Sequence, residues 1–90
     1  MKVAFLEQGW SDYLFWQGLG AKALGRVNAL IEDTKRSPFR GIGKPEPLRE
    51  NWAGWWARRI DREHRLVYRV SGKGDDQFIE IAQCRFHYDR

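Results

Sequence analysis

A single cysteine, Cys84, leaves no partner for an intramolecular disulfide, so bridges do not hold this 90-residue chain and a reducing compartment suits it. No run approaches the roughly 20 apolar residues that a membrane-spanning helix requires. The apolar stretch Val3 to Leu6 stops at Glu7 and Gln8, too short for a signal peptide. A cytoplasmic protein without a membrane partner is the expectation. His64, His87 and the one cysteine form no closely spaced ligand set, which excludes a structural zinc, and no cofactor is expected. Ser11, Ser37 and Ser71 lack a local nucleophile signature, and GIGKP lacks the GxxxxGK[ST] spacing of a phosphate-binding loop. Neither an internal repeat nor a low-complexity tract is present.

What the chain does contain is enough for one domain over residues 1–90: 42% hydrophobic residues supply a modest core, and 31% charged residues are no signature of disorder. Five tryptophans, Trp10, Trp16, Trp52, Trp55 and Trp56, are more indole than so small a core readily encloses, so part of it is expected at an interface. The net charge of +4 favours a polyanionic partner, although many inert surfaces carry as much. Residues 37 to 90 hold eleven Lys or Arg against eight acids, so most of the excess is C-terminal.

Val3 to Leu6 reads as a strand. Trp10, Tyr13 and Leu14 then fall at helical spacing, with Ser11 and Asp12 suited to a first turn. Gly18 and Gly20 bracket a break, after which Ala23, Val27, Leu30 and Ile31 share one helical face. That second helix should end near Arg36, because Pro38 cannot continue it and Lys35 and Arg36 suit the negative end of the helix dipole. PFRGIGKPEP, from Pro38 to Pro47, should be an exposed, partly stiffened loop. Strands are expected over Trp55 to Ile60, His64 to Ser71 and Phe78 to Tyr88, joined by turns at Asp61 to Glu63 and Gly72 to Asp76.

Alternation sorts these strands into faces. Leu66, Tyr68, Val70, Ala82, Cys84 and Phe86 should pack under the helices, while Arg59, Arg65, Arg69, Gln83, Arg85 and His87 should form a basic opposite face. The fold class is therefore α+β: an N-terminal strand and a two-helix hairpin packed on one face of a mainly antiparallel sheet.

RNA can be cut without a metal if one group removes the proton of a ribose 2′-hydroxyl, a cation stabilises the phosphate, and an acid protonates the departing 5′-oxygen. The chain offers a proline-flanked carboxylate, Glu46, arginines on one sheet face, and His87 near the end of the last strand. Imidazole exchanges protons near neutrality, and the guanidinium fork makes paired charge-assisted bonds to phosphate. Each residue also has an ordinary reading. Glu46 is what a solvated loop charge looks like, Arg59 and Arg65 can be exposed strand residues that discourage aggregation, and His87 can be a surface histidine. Parity alone leaves an RNA-binding surface without chemistry as an equal reading.

The segments WSDYLFWQ, ALIEDTKRSPF, GKPEPL, WARRIDREHRLVY and CRFHY, taken in order, resemble the YoeB toxins of the RelE superfamily across almost the whole chain. The resemblance implies a RelE-like fold and a ribosome-dependent mRNA endonuclease acting on mRNA in the decoding site. It implies that Glu46 is the general base, Arg65 the phosphate-stabilising residue and His87 the general acid. Arg59, Lys44 and Arg49 would bind substrate and Tyr88 would hold or stack on a base. It further implies homodimerisation and neutralisation by a YefM-type antitoxin. Arg49 stands where related sequences often have Lys, and Asp89 and Arg90 follow the HY pair at which such chains commonly end. Two other readings compete: a toxin of the same fold that poisons DNA gyrase in the manner of the ParE group, and a non-catalytic basic RNA-binding module.

Overall fold

A computed structural model describes residues 1–88; Asp89 and Arg90, the extension beyond the HY pair, lie outside them. Strand β1 (Lys2–Phe5) leads into helices α1 (Glu7–Leu19) and α2 (Ala21–Arg36), followed by β2 (Glu46–Pro47), β3 (Trp56–Arg59), β4 (Arg65–Ser71) and β5 (Phe78–Gln83). The five strands form one sheet in the order β1-β5-β4-β3-β2, with β1 parallel to β5 and the remaining pairs antiparallel. The expected α+β arrangement is what forms.

The helical hairpin turns on Gly20, which ends α1 and caps α2 at φ 109°, a conformation that costs glycine little and other residues much. Helix α2 ends at Arg36, as the proline and the terminal basic pair require. Val27, Leu30 and Ile31 on α2, Trp16 on α1, and Ile60, Leu66, Tyr68, Ile79, Ile81 and Cys84 from the sheet side make the main core. Each large side chain buried this way contributes roughly 1.5–3 kcal/mol.

Helix α1 starts at Glu7, ahead of Ser11 and Asp12, and the face that it buries is not the expected one. Trp10 and Leu14 are exposed, whereas Gly9, Asp12 and Trp16 are buried against β5. Gly9 permits the approach: a Cβ there would lie 2.5 Å from the Ile81 carbonyl oxygen. Trp16 then donates to the Cys84 carbonyl at 2.6 Å, and the Cys84 N–H donates to Asp12 Oδ2 at 3.0 Å.

In β5 the faces are also reassigned. Val67 pairs with Gln83 but Tyr68 pairs with Ile81, so Ala82 is an extra residue at a β-bulge. Ile79 and Ile81 therefore face the helices, while Ala82 joins Leu48, Ala57 and Val67 in a second cluster with Trp52, Trp55 and Tyr88 against it. The face away from the helices is thus an apolar strip with arginines beside it, not a uniformly basic surface.

The strand ends at Gln83 and does not reach Tyr88. Phe86, expected in the core, is 39% exposed. Arg85 leaves the open face and lies over the Phe15 ring of α1, 3.5 Å from its centroid. No helix among the described residues is long and apolar enough to cross a membrane.

Candidate active site on the open sheet face

Backbone register sets the site. Glu46 pairs with Ala57, Ala57 with Val67, and Val67 with Gln83, so a single transverse row crosses four strands on the open face. At about 4.8 Å per strand the row spans roughly 14 Å from Glu46 to Gln83. The neighbouring row runs from Gly43, whose carbonyl accepts from Arg59 N, through the Arg59–Arg65 pair to Phe86, whose carbonyl accepts from Arg65 N.

Glu46 stands at the β2 edge, in a two-residue strand within the proline-rich stretch read as loop. Its prolines suit an edge, because a residue without an N–H cannot serve a central ladder. The loop before it is fastened from below by a residue that the sequence reading passed over. Arg58 is fully buried, and all five of its donors are used. Nε donates to the Tyr68 hydroxyl, Nη1 to Asp33 Oδ2 and the Ile42 carbonyl, and Nη2 to the Ser37 and Arg40 carbonyls, at 2.6 to 3.1 Å. Tyr68 donates in turn to the Pro38 carbonyl at 2.6 Å. The Arg58 hydrogen bond, with the Ile42 N–H, holds the Asp33 carboxyl below its ordinary value of 3.8, while burial pushes the Tyr68 phenol up. Alternation carries the signal for this: Arg58 precedes Arg59, so it must point beneath the sheet, where a guanidinium needs partners.

Arg65 opens β4. Its Nη1 donates to the Asp61 and His64 carbonyls at 2.9 and 3.0 Å, and among the described residues all its side-chain hydrogen bonds run through that nitrogen. The turn thus grips one corner of the fork and leaves Nε and Nη2 to meet an anion. Arg59 is exposed beside it in the same row.

His87 and Tyr88 return over the open face after the strand has ended. The segment that carries them is held mostly by side chains, with the Arg65 N–H to Phe86 carbonyl bond as a backbone contact to β4. Besides Asp12 and Trp16 on Cys84, His64 Nδ1 accepts from Phe86 N at 2.7 Å, Gln83 Nε2 donates to the His87 carbonyl at 3.2 Å, and Trp52 Nε1 donates to the Tyr88 carbonyl at 2.8 Å. The His87 and Tyr88 rings lie 4.0 Å apart at their centroids, tilted by 34°. Tyr88 and Glu46 line one cleft of 480 Å³, together with Pro47, Leu48, Arg49 and Glu50.

Of the residues singled out beforehand, Glu46, Arg49 and Tyr88 share that cleft, with His87 against Tyr88, while Arg65 and Arg59 lie one row along. Lys44, exposed at φ 52°, sits at the base of the Glu46 strand. Glu50, a second carboxylate in the cleft, was not foreseen, since nothing in its local sequence distinguishes it from an ordinary loop charge.

The family model for the YoeB-like toxin of bacterial type II toxin-antitoxin systems matches residues 5–88. The chain belongs to the YoeB-like toxins. Toxin YoeB of Escherichia coli K12 is 51% identical over 88 residues, covering 98% of this chain and all of that protein. Among solved structures, the YoeB/ParE toxin from Agrobacterium tumefaciens superposes with a TM-score of 0.92 at 53% identity, covering 98% of this chain and all of that one. Staphylococcus aureus YoeB has been solved in a heterotetrameric complex with YefM, with a TM-score of 0.83 at 40% identity over 98% of each chain. It has also been solved as a dimer, with a TM-score of 0.81 at 39% identity over 98% of each chain. A YoeB-like toxin with this α+β, RelE-like fold is therefore the setting in which the cleft must be understood.

Proposed function

We propose that this toxin is a metal-independent endoribonuclease that cuts mRNA in the decoding site of the ribosome and so stops translation. One observation carries the reading: Glu46 and Tyr88 line the same cleft while the His87 ring packs 4.0 Å from Tyr88, so a carboxylate and an aromatic share one cleft with an imidazole against that aromatic. The transverse row that starts at Glu46 ends roughly 14 Å away at Gln83, whose side chain holds the His87 carbonyl at 3.2 Å.

In this mechanism Glu46 takes the proton of the 2′-hydroxyl. The freed oxygen attacks the adjacent phosphorus and forms a 2′,3′-cyclic phosphate. The bond from phosphorus to the 5′-oxygen breaks, and His87 delivers a proton to that oxygen. Arg65, held at one corner by the turn, offers its remaining donors to the phosphate oxygens as charge gathers there. Arg59, Lys44 and Arg49 neutralise neighbouring phosphates, and Tyr88 stacks on a base, an interaction worth about 1–3 kcal/mol. General acid and general base each contribute about 10²–10⁴-fold. All seven residues are this chain's own, and the scheme calls for no cofactor.

The same reading places the toxin in the cytoplasm, as a homodimer restrained by a YefM-type antitoxin whose acidic or apolar segment covers the cleft. The dimer and the YefM complex of the S. aureus relative support those partners.

The test incubates purified toxin with translating ribosomes and maps breaks by primer extension, with naked mRNA alongside. Breaks confined to the translated sample are expected. Inhibition of gyrase supercoiling with no RNA break would replace this reading by that of a ParE-like poison. Salt-sensitive RNA binding without any break would leave only a binding module.

A further inference from the structure

The segment from Cys84 to Tyr88 brings His87 to the cleft, yet it lies outside the sheet, and its central residue adopts a conformation that needs external support. Phe86 sits at φ 62°, a left-handed backbone that a residue with a bulky side chain keeps only where its surroundings insist. Two consecutive residues of one strand end do the insisting. The Phe86 N–H donates to His64 Nδ1 at 2.7 Å, and the Phe86 carbonyl accepts from Arg65 N at 3.0 Å. His64 and Arg65 thus clasp both polar groups of the residue immediately before His87.

The clasp is itself built. The side chain of His64 is 13% exposed, and its ring meets the edge of Trp16 with centroids 5.0 Å apart. Asp61 Oδ1 accepts from the His64 N–H at 2.7 Å, and Arg65 Nη1 donates to the His64 carbonyl at 3.0 Å. An Nδ1 that accepts a hydrogen bond carries no proton, so the neutral ring must hold its hydrogen on Nε2, which faces Glu63 Oε1 at 3.6 Å.

We propose that His64 is a positioning residue that, through the Phe86 amide, fixes the imidazole of His87 relative to the guanidinium of Arg65. The proposal rests on the nuclease reading for its consequence in activity, though not for the clasp. His64 touches no substrate. Its acceptor nitrogen and the backbone N–H of Arg65 hold the two peptide groups that flank Phe86, so the spacing between the proton donor and the phosphate-binding group is set where those two residues meet Phe86. A displacement of about 1 Å in such a pair costs on the order of 10²-fold in rate.

Two variants separate positioning from packing. In His64→Asn the side-chain Oδ1 takes the place of Nδ1 and can accept the same N–H; in His64→Leu the volume is kept and the acceptor is gone. With full-length toxin, amide hydrogen exchange at Phe86 and single-turnover cleavage of translated mRNA are compared. Faster exchange at Phe86 and about a 10²-fold slower cut at unchanged substrate affinity are expected for His64→Leu. His64→Asn should retain most of both. In the wild type, ring nitrogen spectra should show Nδ1 unprotonated and Nε2 protonated at neutral pH.

A His64→Leu protein that exchanges and cuts like the wild type overturns the proposal, as does a His64→Asn protein no better than His64→Leu. If His64→Leu fails to fold, a protonated Nδ1 in the wild type, or loss of Phe86 protection in a folded His64→Asn, overturns it equally. A wild type that cuts no translated message would sink the nuclease reading instead, while the exchange and ring signals would still report on the clasp.

Discussion

Replacing Arg58 by methionine should be among the most damaging single changes available, although Arg58 touches neither the cleft nor substrate. Methionine keeps much of the volume but leaves Asp33 Oδ2, three carbonyls and the Tyr68 hydroxyl without their donor. Removing one partner of a buried charged pair costs about 3–5 kcal/mol. The Asp33 side chain is 18% exposed and the loop carbonyls can turn to water, which places the expected loss near 3 kcal/mol. With a urea slope of roughly 1–1.5 kcal/mol per M for a chain of this length, the midpoint followed by tryptophan fluorescence should fall by about 2–3 M. Arg58→Lys keeps the charge but has three donors for five acceptors, so an intermediate loss of about 1.5–2 kcal/mol is expected. The damage should also have an address: limited trypsin digestion under native conditions should cut sooner after Arg40 than global unfolding alone allows. An Arg58→Met protein within about 1 kcal/mol of wild type, with an unchanged digestion pattern, would refute the view that this guanidinium holds the Glu46 loop.

Two glycines should respond oppositely to alanine. Gly9→Ala drives a Cβ into the Ile81 carbonyl and should cost about 1–2 kcal/mol even after the gain in helix propensity, whereas Gly25→Ala, which meets nothing within 4 Å, should gain about 0.5–1 kcal/mol; thermal or urea unfolding checks both. Because the folded pKa of Asp33 is lowered, its contribution should be complete above 3.8 and vanish as pH falls through the lower folded value, and Asp33→Asn should remove that part of the acid slope of stability. Glu46→Gln and His87→Gln should each slow cleavage of translated mRNA about 10²–10⁴-fold without unfolding the protein, while Glu50→Gln, in the same cleft, should stay within about threefold of wild type.

Much of this was legible in the chain because the relevant signals are local and periodic. The end of α2 at Arg36, the hairpin break at Gly20 and the strands β3 and β4 follow from proline chemistry, glycine placement and alternation. Reading failed where tertiary contacts took over. Trp10, Tyr13 and Leu14 have helical spacing, yet the face that can approach β5 is the one with Gly9, because only a residue without Cβ fits against Ile81. CRFHY is aromatic enough to read as strand, but its backbone groups are served by Asp12, Trp16, His64, Gln83 and Trp52, partners scattered along the sequence that no short window connects. The bulge at Ala82 inverts the parity of β5, so Ala82 lies on the open face and Ile79 and Ile81 lie under the helices, while Phe86 leaves the core because the strand has already ended at Gln83. The roles proposed for His87, Glu46 and Arg65 as acid, base and phosphate-binding group come from the family resemblance and not from their spacing in the chain. What brings Glu46 and Tyr88 into one cleft is the sheet register that places Glu46 together with the Trp52 bond that holds Tyr88 over the open face, neither of which sequence spacing encodes.

The most direct test of the central claim is a message with a single 2′-deoxy nucleotide at the mapped cut, presented on translating ribosomes beside its all-ribose twin. Wild-type toxin should cut the twin, leaving a 2′,3′-cyclic phosphate and a 5′-hydroxyl, and leave the substituted position intact. Equal cleavage of both messages would mean that no ribose hydroxyl is activated, and the roles given to Glu46 and His87 would be wrong.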